Sequence, residues 1–393
     1  MRILVLTPTF LPAVGGAELV LLEVYRRLAT RHDVRLVTPF LQEQLLREQG
    51  SDEYQAQVNF TIERYRDAVT LMKIPGHRLT GGAIPPFSLS AVGAVGRAIR
   101  AFHPQVLNVH YMMPTGLAGV IAERWMGVPT VVTMNGRDVP GPGVPPLWRW
   151  WQRAMLALVT DVTYVSEYCR NAVYGQGEGR GRVIYNGVDI PPASGDGTLV
   201  RRQLGIAPQE PVIFALQRLA LDKRIEVLLR AFQVCRRETG AGVLIIGGKG
   251  PQESVLRALT AELGLEKDVR FAGYIPRASL GSYFLACDLF AFHSTFETFG
   301  IVIAQAMSYG KAVVTVRNTS LLEVMGDGGI AVETGDWQAF GQAMARLIRN
   351  EPERVRLGEA GRRRAEQLFN WDRIAEQYES TLIRAAGQKA DAA

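Results

Sequence analysis

Three groups of residues combine types and spacing that can do chemistry, and each follows a short apolar run. In the second half, Val212 to Leu216 is followed by Gln217 and Arg218, with Lys223 five residues further on, where a helical pattern begins (Ile225, Leu228, Leu229, Phe232). Two cations about 4 Å from a diphosphate each contribute roughly 4 kcal/mol in an intermediate dielectric, enough to matter for a leaving group gaining charge. The same pair also reads as solvated charges at a helix start. The second group is Phe292 to Met307, where a strand ends, a polar turn carries Glu297, and an apolar helix starts at Gly300. Amides of Phe299, Gly300 and Ile301 there can face a phosphate while Glu297 accepts from sugar hydroxyls. In the plainer alternative Glu297 only complements the helix dipole. The third group is Gly15-Gly16-Ala17-Glu18 after Thr7-Pro8-Thr9-Phe10. A double glycine lets backbone approach an anion at a helix N-terminus, or simply makes a tight loop. His110 and Tyr111, after the run ending at Val109, sit at a strand end where an acceptor would bind.

The elements that carry these groups alternate. Arg2 to Thr7, Ala17 to Thr30 and Val34 to Thr38 give a strand, a helix and a strand. Further strands are expected at Val106–Val109, Thr130–Met134 and Val162–Val165, with helix behind them such as Pro114 to Trp125. After Val183 to Asp189 comes a Pro/Gly-rich stretch from Pro191 to Gly197, of the kind that links domains. Alternation then restarts at Val212–Leu216, Val243–Gly247, Val269–Ala272, Leu289–Phe292 and Ala312–Val316. The closing stretch is a helix by the spacing of Ile374, Tyr378 and Leu382. The fold class is therefore α/β, with two Rossmann-like parallel-sheet domains. The first domain is expected over 1–190, with the helix 371–386 packing back on it, and the second over 198–370. Open parallel sheets bind ligands at the carboxyl ends of their strands, so the expected site is a cleft across which the two sheets face.

The bulk numbers agree with this and close off other classes. A chain of 393 residues exceeds what one core usually supports. With 47% hydrophobic and 21% charged residues it reads as an ordinary globular protein. A net charge of +6, spread along the chain, is weak ground for a nucleic-acid partner. No apolar run is long enough for a membrane span or a signal peptide, so the cytoplasm is the expected location. Cys169, Cys235 and Cys287 fit reduced thiols better than a bridge or a metal frame.

Taken in order, these segments resemble the retaining glycosyltransferases of family 4, which have the GT-B fold. The resemblance is carried by Gly15-Gly16-Ala17-Glu18, Val183 to Asp189, Arg218-Leu219-Ala220-Leu221-Asp222-Lys223 and Gly248-Lys249-Gly250-Pro251. It continues through Val269 to Tyr274, the Glu297 segment with Gly310, and Asn370-Trp371. It implies that Arg218 and Lys223 hold a donor diphosphate and that Glu297 contacts hydroxyls of the transferred sugar. It further implies that backbone near Gly248 and Tyr274 lies against the nucleotide and that Gly16 faces the phosphate. The reaction implied is transfer from a nucleotide sugar to a hydroxyl of a glycan, lipid-linked or small-molecule acceptor, with retained configuration. No metal or other cofactor is implied, and no Asp-x-Asp is present.

Two positions depart from the family pattern. Gln305 stands where a second glutamate commonly holds the ribose, a loss on the order of 1 kcal/mol. Asn135, in Thr133-Met134-Asn135-Gly136-Arg137-Asp138, stands where a histidine is usual; it can hydrogen-bond a sugar but cannot carry a proton. These departures keep open a non-catalytic nucleotide-sugar binder, and the scaffold also suits a nucleotide-sugar isomerase. His293 replaces the usual proline as a turn residue, and His32, His77 and His103 read as ordinary surface or loop histidines. Leu147-Trp148-Arg149-Trp150-Trp151-Gln152-Arg153 mixes aromatic and basic residues in a way that suits peripheral contact with the inner face of a membrane, or a helix buried in the core.

Overall fold

The computed structural model describes residues 1–13, 15–40, 51–67, 87–136, 138–139, 146–176, 179–191, 196–317 and 320–390. Most of the Leu41 to Ser88 stretch, His77, Arg137 and most of the Pro191 to Gly197 linker lie outside them. The chain divides into two compact units: residues 1–186 with 371–393, and residues 187–370.

In the first unit, strand β1 (Arg2–Leu6) leads to α1 (Gly16–Leu28), β2 (Asp33–Pro39), α2 (Ser51–Gln55), β3 (Thr61–Tyr65) and α3 (Leu89–Phe102). Then follow β4 (Val106–His110), α4 (Gly116–Trp125), β5 (Thr130–Met134), α5 (Pro146–Leu156), β6 (Asp161–Tyr164), α6 (Glu167–Tyr174) and the short β7 (Arg182–Val183). The seven strands are all parallel, in the order β3-β2-β1-β4-β5-β6-β7. Inner strands are largely apolar because helices cover both faces: β4 and β5 are buried at every residue, Asn108 and His110 of β4 included. The edge strand β3 reads Thr-Ile-Glu-Arg-Tyr, with charges that suit an edge and hide it from an apolar-run search.

The second unit runs through α7 (Thr198–Gln203), β8 (Val212–Leu216), α8 (Ile225–Thr239), β9 (Val243–Gly247), α9 (Glu253–Glu262), β10 (Val269–Gly273) and α10 (Arg277–Ala286). It continues through β11 (Leu289–Ala291), α11 (Ile301–Ser308), β12 (Ala312–Val316), α12 (Leu321–Met325), β13 (Gly329–Val332), α13 (Trp337–Arg349) and α14 (Glu351–Leu368). Its six parallel strands are ordered β10-β9-β8-β11-β12-β13. Both sheets reverse direction beside their first strand, at β1/β4 and at β8/β11, the crevice where doubly wound sheets bind ligands.

Helix α15 (Trp371–Ala390) belongs to the first unit. Its Ile374, Tyr378 and Leu382 are buried, and Arg27 on α1 pairs with Asp372 and lies over the Trp371 ring. Cys169, Cys235 and Cys287 are buried free thiols.

Candidate functional site

In the second unit three strand ends converge through their backbones. Past β8, the Gln217 amide donates to Gly247 O at 3.1 Å and the Leu219 amide to Lys249 O at 3.0 Å; past β9, Gly248 N donates to Gly273 O at 2.7 Å. Glycine is required for this approach. Gly248 has φ +118°, and a Cβ there would lie 2.0 Å from Gln217 O; one on Gly250 would lie 2.3 Å from Leu219 O. The chain after β8 then makes a 3₁₀ turn at Leu221–Lys223, and Arg224 takes a left-handed φ of +48° to enter α8.

That turn delivers Lys223 to the loop after β11. Its Nζ lies 2.5 Å from Glu297 Oε1, 3.4 Å from Ser294 Oγ and 3.5 Å from Asp222 Oδ2. Arg218 is half exposed, with Nη2 3.5 Å from Asp222 Oδ1. Asp222 thus stands between the two cations, and its carbonyl accepts from the Thr295 amide and hydroxyl, both at 3.0 Å. Behind Glu297, Phe299 is buried, Gly300 has φ +79°, and α11 begins at Ile301. The amides of Gly300 and Ile301 have no acceptor among the described residues. Gln305 and Tyr274 are partly exposed. The structure therefore brings Arg218, Lys223, Glu297, Gly300 and Ile301 to adjoining strand ends. Two cations and two carboxylates thus face one another in this cluster.

Two polar residues under this cluster were not legible in the sequence. The β8–β11 register pairs Leu289 with Ile213 and Phe290 with Phe214; continued past the strands, it sets His293 beside Gln217. Both are buried; among the described residues the Gln217 carboxamide has no hydrogen-bond partner, and the His293 ring lies beside Phe340 and the Lys223 backbone. His293 is thus no open turn residue. Burial, and then nearby Arg224, push its pKa down to about 4, so it is neutral.

In the first unit Gly15 caps α1 in extended conformation. Glu18 folds back so that Oε2 lies 2.6 Å from where a Gly15 Cβ would be, and its other oxygen accepts from Thr9 Oγ1. A carboxylate three residues into the helix thus sits beside Gly15, next to the expected phosphate contact at Gly16.

At the β4 and β5 ends a buried chain fixes proton positions. Asn108 Nδ2 donates to Val131 O and Thr133 Oγ1, so Asn108 Oδ1 is the atom that accepts from Tyr25 OH at 2.7 Å. Tyr25 has one proton and has spent it, so His110 Nε2, 2.6 Å from Tyr25 O, must be the donor there. Burial lowers the His110 pKa to about 3, leaving a neutral ring whose Nδ1 accepts from Asn135 Nδ2 at 3.0 Å. The Asn135 nitrogen therefore faces His110 and its oxygen points the other way. His110 was expected to line the acceptor side; instead its ring is fully covered, stacked against Tyr378 of α15, and it positions Asn135. Tyr111 is 7% exposed and holds a left-handed φ of +67°. Asp138 is buried too: its carboxylate accepts from Met112 N at 2.6 Å and Gly136 N at 2.9 Å, and burial still raises its pKa to about 6.

The aromatic–basic segment splits between core and surface. Trp148 is buried at 2% exposure and the partly buried Trp151 packs on Phe87; Trp150, Leu147, Arg149 and Arg153 are exposed. His32 is not an isolated surface histidine: its Nε2 lies 2.6 Å from Glu379 on α15. His103 ends α3 in a left-handed conformation. Among the described residues no three His, Cys, Asp or Glu side chains are grouped to hold a metal, and no helix is long and apolar enough to cross a membrane.

The family model for Glycosyltransferase Family 4 matches residues 14–190, and that for glycosyl transferases group 1 matches residues 197–364. Between them they take in both strand-end clusters. The chain belongs to the glycosyltransferases of family 4. This glycosyltransferase is 23% identical to the N-acetyl-alpha-D-glucosaminyl L-malate synthase of Bacillus anthracis, over 95% of this chain and 94% of that protein. It is 29% identical to the D-inositol 3-phosphate glycosyltransferase of Xylanimonas cellulosilytica, over 69% of each. Among solved structures, Anabaena Alr3699/HepE in complex with UDP superimposes with a TM-score of 0.77 at 24% identity, covering 98% of this chain and 100% of that one. The likeness establishes the GT-B fold for this glycosyltransferase.

Proposed function

We propose that this glycosyltransferase takes a sugar from a nucleoside-diphosphate donor and attaches it to a hydroxyl acceptor with retained anomeric configuration and without a metal. The observation that carries the reading is the Lys223–Glu297 contact at 2.5 Å, beside Arg218 and the first amides of α11. In the proposed reaction the donor C1–O bond breaks, its electron pair leaves with the diphosphate, and Arg218 and Lys223 stabilise the charge that develops. The acceptor oxygen bonds C1 on the same face and its proton passes to the departing diphosphate oxygen. Glu297, released from Lys223, accepts from hydroxyls of the donor sugar, and Asn135, held by His110, hydrogen-bonds another. The UDP and UDP-glucose complexes of the Anabaena protein support a uridine donor as the first to try.

The test is incubation with a panel of nucleotide sugars, with and without acceptors, reading nucleoside-diphosphate release and the anomeric configuration of the product by NMR. Release that persists in EDTA, with a retained product, is expected. Tight donor binding with no release would make the chain a binder, and a rearranged nucleotide sugar without acceptor would make it an isomerase.

The exposed Leu147 and Trp150, flanked by exposed Arg149 and Arg153, further support peripheral docking of α5 on an anionic membrane at the cytoplasmic face. Co-sedimentation with vesicles containing phosphatidylglycerol should fall in Trp150→Ser. Equal sedimentation of the two proteins would remove this part of the proposal.

A further inference from the structure

One buried carboxylate ties the loops after β4 and β5 together. Asp138 is 1% exposed, and its two oxygens serve different loops: Oδ2 accepts from Met112 N at 2.6 Å and Oδ1 from Gly136 N at 2.9 Å. Burying a carboxylate is costly, and these amides do not fully offset it, since the pKa is still raised to about 6. A neutral side chain of the same shape would avoid that cost. Each bond also lies next to a residue of interest to the reaction. Met112 follows Tyr111, a non-glycine residue at φ +67°, and Gly136, itself at φ +127°, follows Asn135. Strands β4 and β5 are neighbours, with His110 opposite Thr133, and the Tyr111 amide donates to Thr133 O at 2.9 Å. Beyond that backbone bond the two strand ends are joined by side chains, Asn135 to His110 and Asp138 to Met112 and Gly136.

Protonation changes what this side chain can do. A carboxylate accepts at both oxygens, whereas in the acid one oxygen carries a hydrogen that meets an amide N–H, and one of the two bonds is lost. The neighbouring groups leave Asp138 to titrate by itself. Tyr164 on β6 faces it, with Arg180 near that ring, and burial holds the phenol protonated; His110 on β4 is neutral, and Gln152 of α5 donates to the Asp138 carbonyl. Arg137 lies outside the described residues, and among those described no cation pairs with the carboxylate. We propose that Asp138 is a positioning residue for the transfer: its carboxylate fixes the Asn135–Gly136 turn against Met112, so that Asn135 meets the donor sugar in one place, and a proton on Asp138 releases one of the two loops. This rests on the glycosyltransferase reading above and adds to it a proton-linked control of the same site. Turnover then needs the ionised form, which is present above about pH 6 and lost as pH falls through that value.

The experiment compares the parent with Asp138→Asn, which keeps the shape but places an amide donor where one oxygen stood. With a nucleotide sugar that the chain turns over, Asp138→Asn should lose at least about tenfold in turnover at about pH 7.5, while nucleoside-diphosphate affinity stays as in the parent. Its urea midpoint should be no lower than the parent's, because a buried charge has been removed. A merely structural carboxylate would lower turnover and midpoint together. Parent turnover should fall with a midpoint near pH 6, and the residual turnover of Asp138→Asn should show no step there. The Met112 and Gly136 amides, followed by NMR in the parent, should shift with the same midpoint, a reading that needs no variant. Parent-like turnover in Asp138→Asn, a turnover loss matched by a lower urea midpoint, the same acid step in both proteins, or amides that do not titrate near pH 6 would each overturn the proposal. If no nucleotide sugar reacts while these amides titrate as expected, the glycosyltransferase reading and the role of Asp138 within it fail together, and only the proton-linked tie between the loops remains.

Discussion

At the scale of residues, the hydrogen-bond chain from Asn108 through Tyr25 and His110 to Asn135 makes a neutral amide act with a defined polarity. A histidine at position 135 could carry a charge; Asn135 cannot, and its amide is held by the neutral His110 ring. Tyr25→Phe removes the acceptor for His110 Nε2–H and the donor to Asn108 Oδ1, both fully buried. We expect it to cost about 1–3 kcal/mol in urea unfolding. Turnover should fall while donor affinity stays as in the parent; an unchanged turnover number would show that the orientation of Asn135 is irrelevant to the reaction. None of this chain was visible in the sequence, because its members are brought together by α1, the sheet and α15. Strand-end position alone put His110 on the open acceptor side, whereas Tyr378, far along the chain, covers it. The clusters at Arg218, Lys223 and Glu297 were legible, since each lies within a few residues of a strand end. The burial of Gln217 and His293 was not, because it depends on how the ends of β8 and β11 are covered.

At the scale of elements, the loops after β8, β9 and β10 hold one another by main-chain hydrogen bonds that only small residues permit. Gly248→Ala would force a Cβ to within 2.0 Å of Gln217 O at a φ of +118°. The expected cost is at least about 2 kcal/mol, with loss of nucleotide binding, because the loop carrying Arg218 must move. Calorimetry with nucleoside diphosphate checks this, and parent-like affinity would show that the convergence of the three loops is dispensable. The inner strands were readable as apolar runs: β5, β8, β9 and β12 have the expected ends, since a strand covered on both faces has little polar sequence. Two outer strands escaped: edge strand β3 alternates charged and apolar residues, and β13 reads Gly-Ile-Ala-Val behind a glycine-rich turn, too short to separate from loop. Strand β7 ends at Val183, where the Val183 to Asp189 stretch begins, and spans only two residues.

At the scale of the whole molecule, each unit buries a neutral histidine, His110 in the first and His293 in the second. Their folded pKa values, about 3 and about 4, lie below the ordinary 6.5, so unfolding in acid takes up protons. The stability they help preserve is complete above about pH 6.5 and is lost as pH falls toward 4 and below. Asp138 acts oppositely: its pKa is raised from 3.8 to about 6, so ionising it costs the first unit stability as pH rises through that window. The second unit should therefore be the more acid-sensitive between about pH 6.5 and 4, with His293 accounting for at most about 3 kcal/mol. Hydrogen exchange resolved by unit measures this, and His293→Gln should flatten the acid limb of the second unit only. A first unit losing stability faster over the same range would contradict it.

In the proposed reaction Lys223 leaves Glu297 to hold a diphosphate. Calorimetric titration of nucleoside diphosphate into the parent and into Lys223→Ala tests it most directly. A loss of at least about tenfold in affinity, with the urea midpoint of the second unit unchanged, is the predicted result. Equal affinities in the two proteins would contradict it.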